Sequence, residues 1–369
     1  MKRDELFKKI KRIVVKIGTS SISESGIISS AKIAKFTSDI TGLRNMGYEI
    51  AVVTSGAISS GAGVLKLNRN NLTIPEKQAL AAVGQAVLMD KYRQCFDKLG
   101  FNIGQILLTE DDMRSRKRFL NAKNAMDSLF RMNVIPVINE NDTVAVDEIK
   151  FGDNDTLSAH VFNLIEADLL ILLSDIAGFY YDLHDPEPVY EIFDITDDIR
   201  KRAGGAGTEH GTGGMLTKIN AAEMIMRFGG MMIIADGTEA SILKKIMSGE
   251  KRGTLFVGEK KKINERKKWI SMRKGSGILV IDDGAVTALV KSKKSLLATG
   301  ILDIKGKFDM GDIVEIYNTD NKIIAKGIVN YRYDELLTIK GKKTSEIKHL
   351  LNGHFFEEVI NRDDMIILL

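Results

Sequence analysis

The sequence predicts an α/β protein: a mostly parallel sheet with helices on both faces, a three-layer αβα sandwich, followed by a smaller β-rich domain. Three observations lead there. Across residues 1–258, short apolar runs alternate with longer amphipathic segments, the rhythm of strands joined by helices. The runs are apolar at successive positions, so both faces of the sheet must be covered. After Lys274 the texture shifts to short strand-like runs separated by Gly, Asp and Asn turns.

The elements follow in order. Ile13–Ile17 reads as a buried strand, followed by Gly18-Thr19-Ser20. Ser29 or Ser30 caps a helix whose apolar positions Ile33, Phe36, Ile40 and Leu43 recur at three and four, and Gly47 stops it. Glu49–Val53 is a second strand, ending in Thr54-Ser55-Gly56-Ala57. Further strands are expected near Ile103–Leu108, Val134–Ile138, Leu169–Leu173 and Met231–Ala235. Beyond the connector, Ile278–Ile281, Ala285–Val290, Ile313–Tyr317 and Ile323–Val329 read as strands, with one helix near Ser345–Leu351. The domains are therefore expected at 1–258 and 275–369, joined by 259–274.

Composition narrows the class. Hydrophobic residues at 44% and charged residues at 28% describe an ordinary globular chain, and four prolines exclude a proline-rich linker. The longest aliphatic run, Leu169–Leu173, is far below the ~18 residues of a membrane span. The charged start Met1-Lys2-Arg3-Asp4-Glu5 is unlike a signal peptide, and the single cysteine, Cys95, excludes an internal disulfide. A cytoplasmic protein without a membrane partner is expected. Net charge is +4, yet eight basic residues between Lys260 and Lys274 face only Glu259 and Glu265, so the excess sits in the connector. Residues 275–369 carry 13 basic and 14 acidic groups, a poor surface for RNA. RNA binding is the weaker alternative to an enzyme.

Parallel sheets bind ligands at the carboxyl ends of their strands, so the informative residues follow each strand. Neither G-x-G-x-x-G nor G-x-x-x-x-G-K-[ST] occurs: Gly211 and Gly213 begin the first pattern, but Leu216 stands at its third glycine. Three glycine-containing loops remain: Lys16–Ser20, Thr54–Ala57 and Gly211–Met215. Each is an ordinary strand-to-helix turn taken alone. Together with Lys16, and with Lys218 one helical turn beyond Gly214, they make a phosphate site.

A second constellation joins Asn139-Glu140-Asn141-Asp142, expected as a loop directly after a strand, with Asp153-Asn154-Asp155. Turn preference explains some of these seven, and Asp153 can cap the apolar run Leu157, Val161, Leu164. The five histidines show no ligand pairing, Ser55 has no evident base, and Cys95 reads as a buried helical thiol. Phosphoryl transfer to a carboxylate avoids the need for a base, because a carboxyl of pKa ~4.3 is already ionised. It needs Mg²⁺, lysines and firm positioning.

Taken in order, Val14–Ser20, Val53–Ile58, Pro136–Asp142, Gly152–Asp155 and Gly211–Met215 closely resemble the amino-acid kinase family, and within it the kinases acting on glutamate. The C-terminal part, ending in Arg362-Asp363-Asp364-Met365, looks like the PUA domain of many bacterial members. The resemblance implies an ATP- and Mg²⁺-dependent enzyme that phosphorylates the γ-carboxylate of L-glutamate, with proline as feedback inhibitor and a dimeric or tetrameric homo-oligomer. It gives Lys16, Asp155 and Lys218 catalytic roles, with Lys16 on the ATP phosphates. Ser55, Asn139, Asp142 and Asn154 would bind glutamate. Ser174, Asp175 and the run Thr212, Gly213, Gly214, Met215, Leu216, Thr217 and Lys218 would bind the nucleotide, and Asp153 would help organise the lysines and a Mg²⁺-bound water. No residue is assigned as a direct metal ligand. Ser174 stands where threonine is expected, and Gly178–Pro186 matches too loosely to be assigned contacts. Other members of the same family, acting on acetylglutamate, aspartate, carbamate or a nucleoside monophosphate, are the enzymatic alternative.

Overall fold

The computed structural model describes residues 3–24, 26–68, 72–144, 153–182, 184–205, 214–259, 265–273, 275–351 and 356–368. The chain forms two compact units, Met1–Lys261 and Lys262–Leu369. The strands of the first are β1 (Arg12–Ile17), β2 (Ser23–Glu24), β3 (Ile27–Ile28), β4 (Glu49–Thr54), β5 (Ile103–Leu108), β6 (Ile135–Glu140), β7 (Leu169–Ser174), β8 (Glu191–Ile192), β9 (Met231–Asp236) and β10 (Thr254–Val257). Eight of them build one sheet in the order β5-β6-β4-β1-β7-β9-β10-β8. From β5 to β9 all neighbours run parallel, and only β9 and β10 are antiparallel.

The apolar runs become a two-faced sheet. Ile13, Val15 and Ile17 pack on one face with Phe36, Ile40 and Tyr92, while Val14 packs on the other with Leu157, Val161 and Ile219. Since successive side chains of a strand point to opposite faces, a run of five apolar residues is what two helical layers demand. Ser29 caps the helix Ser30–Asn45 by accepting from the Lys32 amide, and Gly47, at φ +95°, takes the left-handed turn that ends it.

One helix pair lies unusually close to the backbone of its partner. The helices Ala57–Leu65 and Ile74–Asp97 meet at Gly61 and Gly84. A Cβ on Gly84 would sit 1.8 Å from the Ala57 carbonyl, and one on Gly61 would sit 2.0 Å from that of Leu80. Only glycine permits this approach, and it brings the second helix against the backbone of Ala57 and Gly61, just after the Ser55-Gly56 turn. That helix carries Cys95, buried as expected.

The second unit has β11 (Gly277–Ile281), β12 (Ile301–Gly306), β13 (Ile313–Tyr317), β14 (Ile323–Ile328) and β15 (Met365–Ile367), in the order β12-β11-β13-β14-β15. Only β11 and β13 pair parallel. The small β-rich domain is there, but one expected strand is not: Ala285–Val290 belongs to the helix Asp283–Val290. Asp282 accepts from the Ala285 amide at 2.7 Å and nucleates that helix, and Leu289 alone in it is buried. A local N-cap outweighs the strand preference of two valines. The strands β12 and β15 and the helix Tyr333–Ile339 were not anticipated: β12 and the helix mix polar with apolar residues, and β15 is only three residues long. Trp269 lies in the helix Glu265–Met272 of this unit, buried, with the Arg273 guanidinium 4.7 Å from its ring centre. Among the described residues no helix is long and apolar enough to cross a membrane.

Candidate active site

The carboxyl end of β1 and the first turns of two helices converge on one carboxylate. Asp155 is fully buried in the first turn of the helix Asn154–Leu164. Its Oδ1 lies 2.5 Å from Lys16 Nζ, and its Oδ2 lies 3.1 Å from Lys218 Nζ. Thr217 donates to the same Oδ2 at 3.2 Å and to the Gly214 carbonyl at 2.7 Å. Burial alone would raise the pKa of Asp155, but the two ammonium groups and their hydrogen bonds hold it below its ordinary value. Both lysines are themselves nearly buried, so the carboxylate fixes two cations that would otherwise swing freely.

Local sequence explains each position. Lys16 is the penultimate residue of β1, and its ammonium lies beside Gly18, 3.8 Å from where a Cβ on that glycine would stand. Asp153 is the N-cap of the helix bearing Asp155, accepting from the Thr156 amide at 2.8 Å. Lys218 sits in the first turn of the helix Met215–Met226, which Gly214 caps in extended conformation.

Beside the lysine pair lies an amide cluster. Asn154 Nδ2 donates to the Thr54 carbonyl (2.7 Å), to Ser55 Oγ (2.6 Å) and to Asn139 Oδ1 (3.2 Å). Asn139 is nearly fully buried, and its Nδ2 donates to Gln85 Oε1 at 2.8 Å. Asn139 and Glu140 do not form the loop that was expected: β6 continues through both, paired with Leu107 and Leu108 of β5. The ladder to β5 outlasts the one to β4, and it carries the two polar residues inward. Asn154 and Asp155 open the helix that Asp153 caps, as the apolar run Leu157, Val161, Leu164 led one to expect. Asp142 follows in a turn, half-buried.

On the other side of β1, Ser174 ends β7 and donates to Asp175 Oδ1 at 3.0 Å; Ser174 is buried and Asp175 exposed. The loop beyond is anchored from below. The Phe179 amide donates to Thr254 Oγ1 at 2.7 Å, and a Cβ on Gly178 would lie 2.5 Å from that oxygen. Gly214, Met215 and Leu216 open the helix of Lys218, with Leu216 exposed. Gly152, Gly211, Thr212 and Gly213 lie outside the described residues.

Direct contacts thus join Lys16, Asp155, Thr217 and Lys218 in one group and Ser55, Asn139 and Asn154 in another, and the two adjoin at the consecutive residues Asn154 and Asp155. Two residues in this network, Gln85 and Tyr92, were not anticipated, whereas Thr54 belongs to the expected Thr54–Ala57 loop. Tyr92 is fully buried, and its hydroxyl lies 2.9 Å from Thr54 Oγ1 behind the Ser55 turn. Gln85 carried one weak signal, an amide set between Gly84 and Leu88 on the buried face of a helix. Chemically, two immobilised cations, one at a strand end and one in the first turn of a helix, can neutralise a transferring phosphoryl group, and the amides beside them can orient a small polar acceptor.

Known proteins place the chain in a family. The model of the amino acid kinase family matches residues 11–236, and that of the PUA domain matches 277–351. A glutamate 5-kinase of Caldanaerobacter subterraneus is 46% identical over 97% of this chain and 98% of its own length. Those of Syntrophotalea carbinolica (45%, 99% of each) and Geobacter sulfurreducens (41%, 99% and 100%) are similarly close. The structure of a carbamate kinase from Giardia lamblia bound to AMP-PNP aligns with 68% of this chain and 99% of its own at TM-score 0.52 and 16% identity, a likeness of fold. With its β1 lysine, its buried aspartate and most of its sheet inside the matched span, the chain belongs to the amino acid kinase family.

Proposed function

We propose that this chain transfers the γ-phosphoryl group of ATP to the γ-carboxylate of L-glutamate, giving γ-glutamyl phosphate and ADP, the first step of proline synthesis. The observation that carries the reading is Asp155 holding Lys16 and Lys218 together beside the Asn139–Asn154–Ser55 cluster. The near-full-length similarity to glutamate 5-kinases supports the choice of acceptor. A γ-carboxylate oxygen forms the new bond to phosphorus as the bond to the β,γ-bridging oxygen breaks, and no proton moves. The ionised acceptor explains why the site needs no histidine or activated serine.

Lys16 lies on the phosphates and Lys218 reaches the same group from the opposite helix. Asp155 aligns both and takes no part in bond making. Ser174 and Asp175 take the nucleotide together with Thr212, Gly213, Gly214, Met215, Leu216 and Thr217. Ser55, Asn139, Asp142 and Asn154 hold glutamate, with Asp142 facing its ammonium. The reaction is assigned to residues 1–258, with 259–274 as connector and 275–369 as PUA domain. Among the described residues no group of three or more His, Cys, Asp or Glu forms a metal cage. Asp155 is committed to the lysines, but Asp153 Oδ2 is buried without a partner among the described residues. That donor set fits a Mg²⁺ carried mainly by phosphates and water, with Asp153 receiving one of those waters. When bound, Mg²⁺ supplies further charge neutralisation on the phosphates.

An ADP-release assay across glutamate, acetylglutamate, aspartate, carbamate and nucleoside monophosphates tests the acceptor. Glutamate is expected to give the highest kcat/KM; a higher value for any other acceptor overturns the reading. Asp142→Ala should raise the glutamate KM roughly ten- to a hundred-fold, the cost of a lost charged hydrogen bond. An unchanged KM would remove Asp142 from the ammonium.

Proline has the α-carboxylate and cationic nitrogen of glutamate but no γ-carboxylate. A pocket that holds the shared groups through Ser55, Asp142 and Asn154 accepts it without chemistry. Proline inhibition should therefore weaken as glutamate rises in a titration at several glutamate concentrations. An apparent inhibition constant that stays flat well above the glutamate KM would place proline elsewhere.

A further inference from the structure

The phosphoryl-transfer reading leaves one polar side chain at the acceptor site without a role. Gln85 lies within the helix Ile74–Asp97, and its Oε1 accepts from Asn139 Nδ2 at 2.8 Å. The direction of this amide chain is dictated from its far end. The Thr54 carbonyl can only accept, so the Asn154 atom 2.7 Å from it must be nitrogen. That nitrogen is 3.2 Å from Asn139, whose facing atom must then be oxygen. The Asn139 nitrogen is turned the other way and requires an acceptor, which Gln85 Oε1 provides.

We propose that Gln85 is a positioning residue for the acceptor site, locking Asn139 in the one orientation that supports Asn154 and, through it, glutamate binding. The inference rests on the glutamate-kinase reading above. Asn139 is 2% exposed, so water cannot replace a missing partner. Without an acceptor at position 85, Asn139 must either bury an unpaired N–H or flip. Flipping would set its nitrogen against the nitrogen of Asn154, two donors face to face. Either way the preset amide pair is lost. Gln85 Nε2 is buried without a partner among the described residues, so the oxygen of this side chain carries the function. Tyr92, two turns further along the helix, supports Thr54 from the same side. One helix therefore braces the ends of both β4 and β6.

The test is a double-mutant cycle in the full-length chain, with Gln85→Leu, Gln85→Met, Asn139→Ala and the combined variants. Gln85→Leu and Gln85→Met should each raise the glutamate KM about three- to ten-fold, the usual cost of one buried hydrogen bond, with the ATP KM changed less than about two-fold. In the Asn139→Ala background the same substitutions should change the glutamate KM less than about two-fold, because their route to the substrate is already gone. Methionine keeps the length of glutamine, so it serves if the leucine variant fails to fold. An unchanged glutamate KM in both variants overturns the proposal. So does an equal multiple in the Asn139→Ala background, or a parallel rise in the ATP KM. If the wild-type chain prefers another acceptor, the kinase assignment fails instead, and the cycle is read on that acceptor's KM.

Discussion

Lys16→Ala is expected to lower kcat roughly a hundred- to a thousand-fold while the glutamate KM moves little, the loss typical of a group that stabilises charge in the transition state. The expectation follows from the position of Lys16, whose ammonium is held at the end of β1 by Asp155 and not by solvent. The charge it neutralises is spread on the phosphoryl oxygens during transfer, so its worth is realised in the transition state. Folding should be little affected. Asp155 keeps Lys218 as a partner and Thr217 as a donor, so the buried carboxylate is not left alone. Steady-state kinetics decide the matter, and a near-normal kcat would remove Lys16 from the chemistry.

Asp155→Asn is expected to cost both activity and stability. Two nearly buried ammonium groups would face a neutral amide, and breaking a buried ion pair from one side typically costs about 3–5 kcal/mol. The lysines would then turn toward solvent, so kcat should fall at least as far as in Lys16→Ala. Denaturant unfolding separates the two variants: a clear loss of stability in Asp155→Asn and little in Lys16→Ala. Equal stability in both would mean that Asp155 does not carry the burial of the lysines. The pH dependence has a definite sign. The folded pKa of Asp155 is depressed below 3.8, so its contribution is present above that value. It is lost only as the pH falls through the lower folded pKa. Acid should therefore weaken the wild type more than Asp155→Asn.

Much of this architecture was legible from residue order. The continuous apolar runs required a sheet covered on both faces, and strand ends were the places to look for chemistry. Lys16 and Lys218 could be singled out beside glycine-containing turns, whereas the role of Asp155 came from the family resemblance and not from its own pattern. Local signals misled where two of them competed. In Ala285–Val290 the valines suggested a strand, while the cap at Asp282 made a helix. At Asn139-Glu140 the polar residues suggested a loop, while pairing with β5 kept them in the strand.

By itself, the sequence determined the two-part organisation and the layered fold, and it marked the turns after the strands as the places to look for chemistry, because hydrophobic periodicity and turn chemistry are properties of neighbouring residues. Only the tertiary structure decided that Lys16 and Lys218, more than two hundred residues apart, share the two oxygens of Asp155. It alone revealed that Gln85 and Tyr92 stand behind the acceptor cluster. The reason is physical. A hydrogen-bond partner is chosen by distance and direction in space, and those depend on where the crossovers return the chain, such as the glycine-to-backbone contact at Gly84. A residue with no special chemistry of its own leaves no mark in the sequence until the fold places an unpaired amide beside it.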